Sequence, residues 1–160
     1  MASAILVLGL GNDILTDDAV GLMVARRLST LWAGHPLVEV KETMEMGLAL
    51  LDFIVGYREV LIVDSIQTGR VPPGTLHELD AASLRTLTGN TPHFLGVGET
   101  LALGRQLGLE MPVRVRILAI EVADPFTLGT ALTPALERAL PWAVERADAL
   151  LKELTGPPAG

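Results

Sequence analysis

Three runs of branched apolar residues limit the folds open to this chain: Ala4–Leu10 (AILVLGL), Glu59–Asp64 (EVLIVD) and Val113–Val122 (VRVRILAIEV). The first two lack the polar alternation of a strand with one wet face, so they read as strands covered on both sides. Segments of helical period lie between the runs. Val20, Met23, Val24, Leu28 and Leu31 share a helical face, and Thr16, Asp17 or Asp18 is placed to cap that helix. Leu37–Glu42 alternates apolar and polar residues, as a strand nearer a sheet edge does, and Gly47–Val55 suits a short helix. Strands alternating with helices imply a mainly parallel sheet with helices on both faces.

The same reading places the remaining elements. The loop GRVPPG (Gly69–Gly74) is a turn leading into an antiparallel strand at Thr75–Leu79, and Leu95–Leu107 forms a helix. Thr133-Pro134 opens a last helix with a capping hydroxyl and a first-turn proline, and its apolar face is Leu136, Leu140, Ala143, Ala147, Leu150 and Leu154. Pro141 lies inside that pattern and is expected to kink or split the helix. The expected architecture is therefore an α/β single-domain three-layer sandwich. It has a mainly parallel twisted sheet of about five strands, one antiparallel edge strand, and helices on both faces. Residues 1–155 make up the domain and 156–160 a flexible tail.

Composition narrows the function. Twelve basic against nineteen acidic residues leave a net charge of −7, which disfavours nucleic acid, a ligand bound through Lys and Arg on phosphates. There is no cysteine, so a thiolate nucleophile and Cys-ligated zinc or iron–sulfur centres are excluded. The apolar stretches are too short to span a membrane. The run MASAILVLGLGN has no basic segment ahead of it and reads as a strand rather than an export signal, so a cytoplasmic location is expected.

Ligands in a parallel sheet bind beyond the carboxyl ends of its strands. Asp18 follows the first strand, Asp64 closes the third, and His93 lies in the loop TPHF. Two carboxylates and an imidazole suit a divalent transition metal. Each has a plainer reading as well: Asp17 and Asp18 as helix caps, Asp64 as the start of a turn, His93 as a solvated loop residue. The other two histidines are weaker candidates. His35 sits in a Gly-His-Pro turn and His77 in the edge strand, and both read as surface residues. Gly9-Leu10-Gly11 looks like the start of a dinucleotide fingerprint, but the third glycine position holds Ile14. Asp13, Asp17 and Asp18 would also face a pyrophosphate there, so nucleotide binding ranks below metal binding and no organic cofactor is expected.

The run Gly9-Leu10-Gly11-Asn12, with Leu15, Asp17-Asp18 and Gly21, resembles the N-terminal signature of the hydrogenase maturation endopeptidases. The likeness continues through LIVDSI (Leu61–Ile66), PPGTLHEL (Pro72–Leu79), TPHFLG (Thr91–Gly96) and LTP (Leu132–Pro134), covering residues 4 to 154 in order. The resemblance implies an endopeptidase that trims the C-terminal extension of a nickel–iron hydrogenase large-subunit precursor after nickel insertion. It implies that Asp18, Asp64 and His93 are the metal-contacting and catalytic positions, Asp18 standing where many members have Glu. It also implies that the nickel arrives with the substrate and that the partner is that precursor. The protease is expected to work as a monomer. Where many members carry a Gly-Thr pair thought to read the substrate, this chain has Met44-Glu45 ahead of Gly47, so Met44, Glu45 and Gly47 are the candidate recognition residues. The residues leave open whether the metal polarises the scissile carbonyl or activates a water, and which carboxylate takes the proton. Two other readings stand beside this one: a non-cleaving nickel-checkpoint assembly factor, and a nucleotide-binding regulator.

Overall fold

The computed structural model describes residues 4–80 and 97–156. Five strands form one sheet: β1 (Ile5–Leu10), β2 (Val38–Thr43), β3 (Glu59–Ile66), β4 (Leu76–Asp80) and β5 (Arg114–Glu121). Their spatial order is β2-β1-β3-β5-β4. All neighbours run parallel except β4, which pairs antiparallel with β5 as the outer strand. The expected sheet, its strand number and its antiparallel edge are present.

Among the described residues the α-helices are α1 (Val20–Leu31), α2 (Leu51–Ile54), α3 (Val97–Gln106) and α4 (Pro134–Thr155). Alternation along the strands divides the core into two layers. On one face Ile5, Val7, Leu61, Val63, Leu118 and Ile120 pack with α1 and α4 through Val24, Leu28, Leu136 and Leu150. On the other, Leu6, Leu8, Val60, Ile62, Ile117 and Ala119 pack with Leu50, Ile54, Val97 and Leu101 from the α2–α3 side. β1 and β3 are buried along their whole length, which accounts for their lack of polar alternation.

Three local expectations need correction. α4 is not split at Pro141 but continues across it. The proline lacks one N–H and costs about 3 kcal/mol in a helix interior. A face of Leu136, Leu140, Ala143, Val144, Ala147, Leu150, Leu151 and Leu154 buried against the sheet outweighs that and keeps the helix whole. Neither α1 nor the 3₁₀ turn leading into it (Thr16–Ala19) has a side-chain cap. Likewise the Thr133 hydroxyl does not cap α4; it donates to Asp17 instead. β3 also runs two residues past Asp64, to Ile66.

The strand order reverses between β1 and β3: from β1 the chain passes to β2 on one side, and from β3 to β4 and β5 on the other. The crevice at their carboxyl ends is the topological switch where open α/β sheets take ligands.

Candidate active site

Glycines make the close approach at this crevice possible. A Cβ on Gly21, in the first turn of α1, would lie 2.5 Å from the carbonyl oxygens of both Leu10 and Val63 and 3.0 Å from the Asp64 Cα. The helix start therefore rests directly on the ends of β1 and β3. A Cβ on Gly11 would lie 2.2 Å from the Asp18 carbonyl oxygen. The space that a dinucleotide turn offers to phosphate is thus filled here by the chain's own backbone. Asp17 and Asp18 stand beside it, so the glycine turn serves packing.

Asp18 and Asp64 are both buried, at 6% and 0% relative exposure. By strand alternation Asp64 leaves β3 on the side of Ile62 and Ile66, and Ser65 on the side of Leu61 and Val63, toward α1. Ser65 connects the two carboxylates. Its hydroxyl donates to Asp18 Oδ1 at 2.7 Å and its N–H donates to Asp64 Oδ1 at 2.7 Å. Ser65, which sequence reasoning missed, thus hydrogen-bonds to both acids. The motif LIVDSI contains it, but nothing in its spacing tells a strand-end serine from a spacer. His93 lies outside the described residues. Among the described residues no group of three His, Cys, Asp or Glu side chains is placed to hold a metal ion.

The turn carrying Asp18 is held from its other side by Asp17, which is fully buried. The Asp17 carboxylate accepts N–H bonds from Ala123 (3.0 Å), Asp124 (2.9 Å) and Thr133 (2.8 Å), and the Thr133 hydroxyl. It joins the turn after β1 to the exit of β5 and the start of α4. Thr16, just before it, has φ +40°, rare for a β-branched residue, and is held there by its N–H on the Gly129 carbonyl (3.1 Å) and its hydroxyl on the Thr127 carbonyl. Such strain is of order 1–3 kcal/mol and persists only where the surroundings over-determine it.

Another buried acid stands at the end of β5. Glu121 accepts bonds from the Thr68 hydroxyl (2.6 Å) and N–H (2.8 Å), from the Gly69 N–H (3.3 Å) and from His77 Nε2 (3.2 Å). Burial pushes the Glu121 carboxyl up, and these donors more than offset it, holding it below the usual range. His77 is consequently half-buried and paired rather than a surface residue, because edge strand β4 turns it inward onto Glu121. His35 is half-buried too. It packs its ring against Trp32, with centroids 5.1 Å apart, and accepts the Leu37 N–H.

The rim of the crevice is apolar and exposed. Met44, Met46 and Leu48 follow β2, Ile14 follows β1, and Phe126 and Leu128 follow β5, with exposures from 46% to 74%. Glu45 is exposed, and Gly47 takes φ +64°, a left-handed turn that glycine adopts without strain. The Ile14 and Phe126–Leu128 loops are joined by a bridge between Leu15 and Gly129. Asp124 Oδ1 accepts the N–H groups of Phe126 and Thr127, which fixes the second loop. Among the described residues no helix is long and apolar enough to cross a membrane.

A family model described as hydrogenase maturation protease matches residues 24–149. The chain is 30% identical over 151 residues to the hydrogenase 2 maturation protease of Escherichia coli K12, covering 93% of this chain and 91% of that one. Its structure is similar to that of the hydrogenase maturating endopeptidase HybD from E. coli, with a TM-score of 0.81, 29% identity, and coverage of 94% of this chain and 93% of that one. A [NiFe] hydrogenase maturation protease from Thermococcus kodakarensis shares the fold, with a TM-score of 0.70, 24% identity, and coverage of 91% and 97%.

Proposed function

Because the chain belongs to the hydrogenase maturation protease family and is a peptidase, we propose that it removes the C-terminal extension of a nickel–iron hydrogenase large-subunit precursor once nickel has been inserted. The observation that carries this reading is the buried pair Asp18–Asp64 at the β1–β3 switch point, joined through Ser65. The nickel belongs to the substrate. Asp18, Asp64 and His93 complete its coordination, and cleavage becomes conditional on its presence.

The donor chemistry fits that role. Carboxylate oxygens and one imidazole, in a chain without cysteine, hold nickel weakly, because softer thiolate ligands have to come from elsewhere. A site that binds its metal only together with the substrate's own ligands distinguishes a loaded precursor from an empty one. Nickel supplies Lewis acidity to the scissile carbonyl or to a water. The chain's own part is to present two fixed carboxylates, one of which takes the proton. The exposed apolar residues Ile14, Met44, Met46, Leu48, Phe126 and Leu128 follow the carboxyl ends of β1, β2 and β5 and support a protein, rather than a small molecule, as substrate.

The test mixes nickel-loaded precursor with the wild type and with the variants Asp64→Ala and His93→Ala. Wild type is expected to release the extension, seen as a mass loss in the large subunit, and each variant to leave it in place. Nickel-free precursor is expected to stay intact with all three. Undiminished trimming by both variants would remove the site assignment, and efficient cutting of nickel-free precursor would remove the metal checkpoint.

A further inference from the structure

We propose that Ser65 is a positioning residue that holds Asp18 and Asp64 in a single working geometry, with Asp18 and Ser65 acting as one unit. The inference rests on the reading above that these two acids form the active site.

Asp18 sits on the turn before α1, and Asp64 leaves β3 toward the α2–α3 layer. They therefore belong to different elements and approach the crevice from opposite sides of the strand end. Their backbones are seated by Gly21 on the ends of β1 and β3, and Ser65 orients the carboxylates themselves. This serine is 4% exposed, lies within β3 and is fixed in register opposite Ile120 of β5. Through one residue the sheet controls both acids: the hydroxyl reaches over to Asp18 and the N–H turns to Asp64, each at 2.7 Å.

The two arms differ in a way that makes them separable. A side-chain substitution deletes the arm to Asp18 and leaves the backbone arm to Asp64. The hydroxyl proton points at a carboxylate, so its function is to orient that group. Partners that orient a reacting or metal-contacting carboxylate are worth about 10- to 100-fold in activity or affinity. The effect should also depend on the length of the residue at position 18. An Asp18→Glu side chain is one methylene longer and carries its carboxylate past the Ser65 hydroxyl.

The experiment is a cycle on the full chain, measuring trimming of nickel-loaded precursor by wild type, Ser65→Ala, Asp18→Glu and the double variant. Ser65→Thr, which keeps a hydroxyl, is added, and each melting temperature is recorded to confirm folding. In the Asp18 background Ser65→Ala is expected to lower kcat about 10- to 100-fold with KM little changed, and Ser65→Thr to recover most of that loss. In the Asp18→Glu background the same substitution is expected to cost less than about threefold, the non-additivity of two groups that act together. Equal costs in both backgrounds would mean a structural role only and overturn the proposal. So would an unchanged kcat for a folded Ser65→Ala. A loss beyond about 1,000-fold in both backgrounds, without recovery by Ser65→Thr, would make the hydroxyl a bond-forming group and also overturn it. Failure of the wild type to trim the precursor would instead sink the function proposed above, so the two failures are distinguishable.

Discussion

Asp17 and Asp18 are adjacent, carry the same side chain and are both buried, yet they face opposite ways. Asp18 bonds to Ser65 at the end of β3. Asp17 turns back to collect N–H groups from Ala123, Asp124 and Thr133. One carboxylate thus satisfies three backbone N–H groups from two separate segments. Asp17→Asn keeps the volume but puts an amide, itself a donor, against donors. It is expected to destabilise the fold by about 3 kcal/mol, read as a lowered urea midpoint. Asp13→Asn is the matching control. Asp13 lies on the same loop, but its ion pair with Arg26 (2.8 Å) is about half exposed at both ends, so the loss should stay below about 1 kcal/mol. Equal losses from the two would contradict the role given to Asp17. From the sequence, the pair Asp17-Asp18 was legible as two acids at a helix start, and capping was the natural expectation. It fails because the bonding partners lie more than a hundred residues away along the chain.

Helix α1 illustrates how an element finds its seat. Of the apolar face read from the spacing, Val20, Val24 and Leu28 are buried and Met23 partly so, whereas Leu31 at the helix end is 62% exposed. The helix's depth was not readable, because that depends on Gly21 letting the helix start settle onto two strand ends. Gly21→Ala places a methyl group 2.5 Å from two backbone oxygens, which neither strand can vacate without losing its ladder. The expected cost is about 3 kcal/mol, together with lost activity, since Asp18 moves with the helix start. Stability comparable to wild type in thermal unfolding would show that α1 sits less closely than described. Helix α4 shows the opposite balance, in which Pro141 is a local signal that a long buried face overrides.

For the molecule as a whole, the acid limb of stability should carry the signature of Glu121. Its folded-state pKa lies below the ordinary glutamate value, so its stabilising contribution is fully present above about pH 4.3 and is lost as pH falls through the lower folded value. Glu121→Gln removes that dependence. The variant is expected to be about 2 kcal/mol less stable than wild type at pH 7. The gap should close in denaturant titrations as pH is lowered through the carboxylate range. A gap that stays constant with pH would show that packing, not the bonded charge, is what Glu121 contributes. The same carboxylate ties Thr68 and Gly69, in the loop leaving β3, to His77 of edge strand β4, so one buried acid helps set the shape of the sheet's outer half.

The chain's pattern of doubly covered strands and intervening helical periods was enough to specify the parallel sheet, its helix layers and an antiparallel edge strand, read at Thr75–Leu79 and found at Leu76–Asp80. Burial on two faces leaves its mark on every residue of a strand, and such marks can be read locally. The glycine turn and the acids after β1 and in β3 also marked the crevice, because strand ends can be located without knowing their neighbours. The pairing of Ser65 with Asp18, the direction of Asp17 and the burial of His77 beside Glu121 could not be read that way. Each is a contact between residues distant in sequence, decided by which elements the packed sheet brings together. Asp18 and Asp64 could be picked out as acids from the sequence; that the Ser65 hydroxyl reaches Asp18 is decided only by the folded chain.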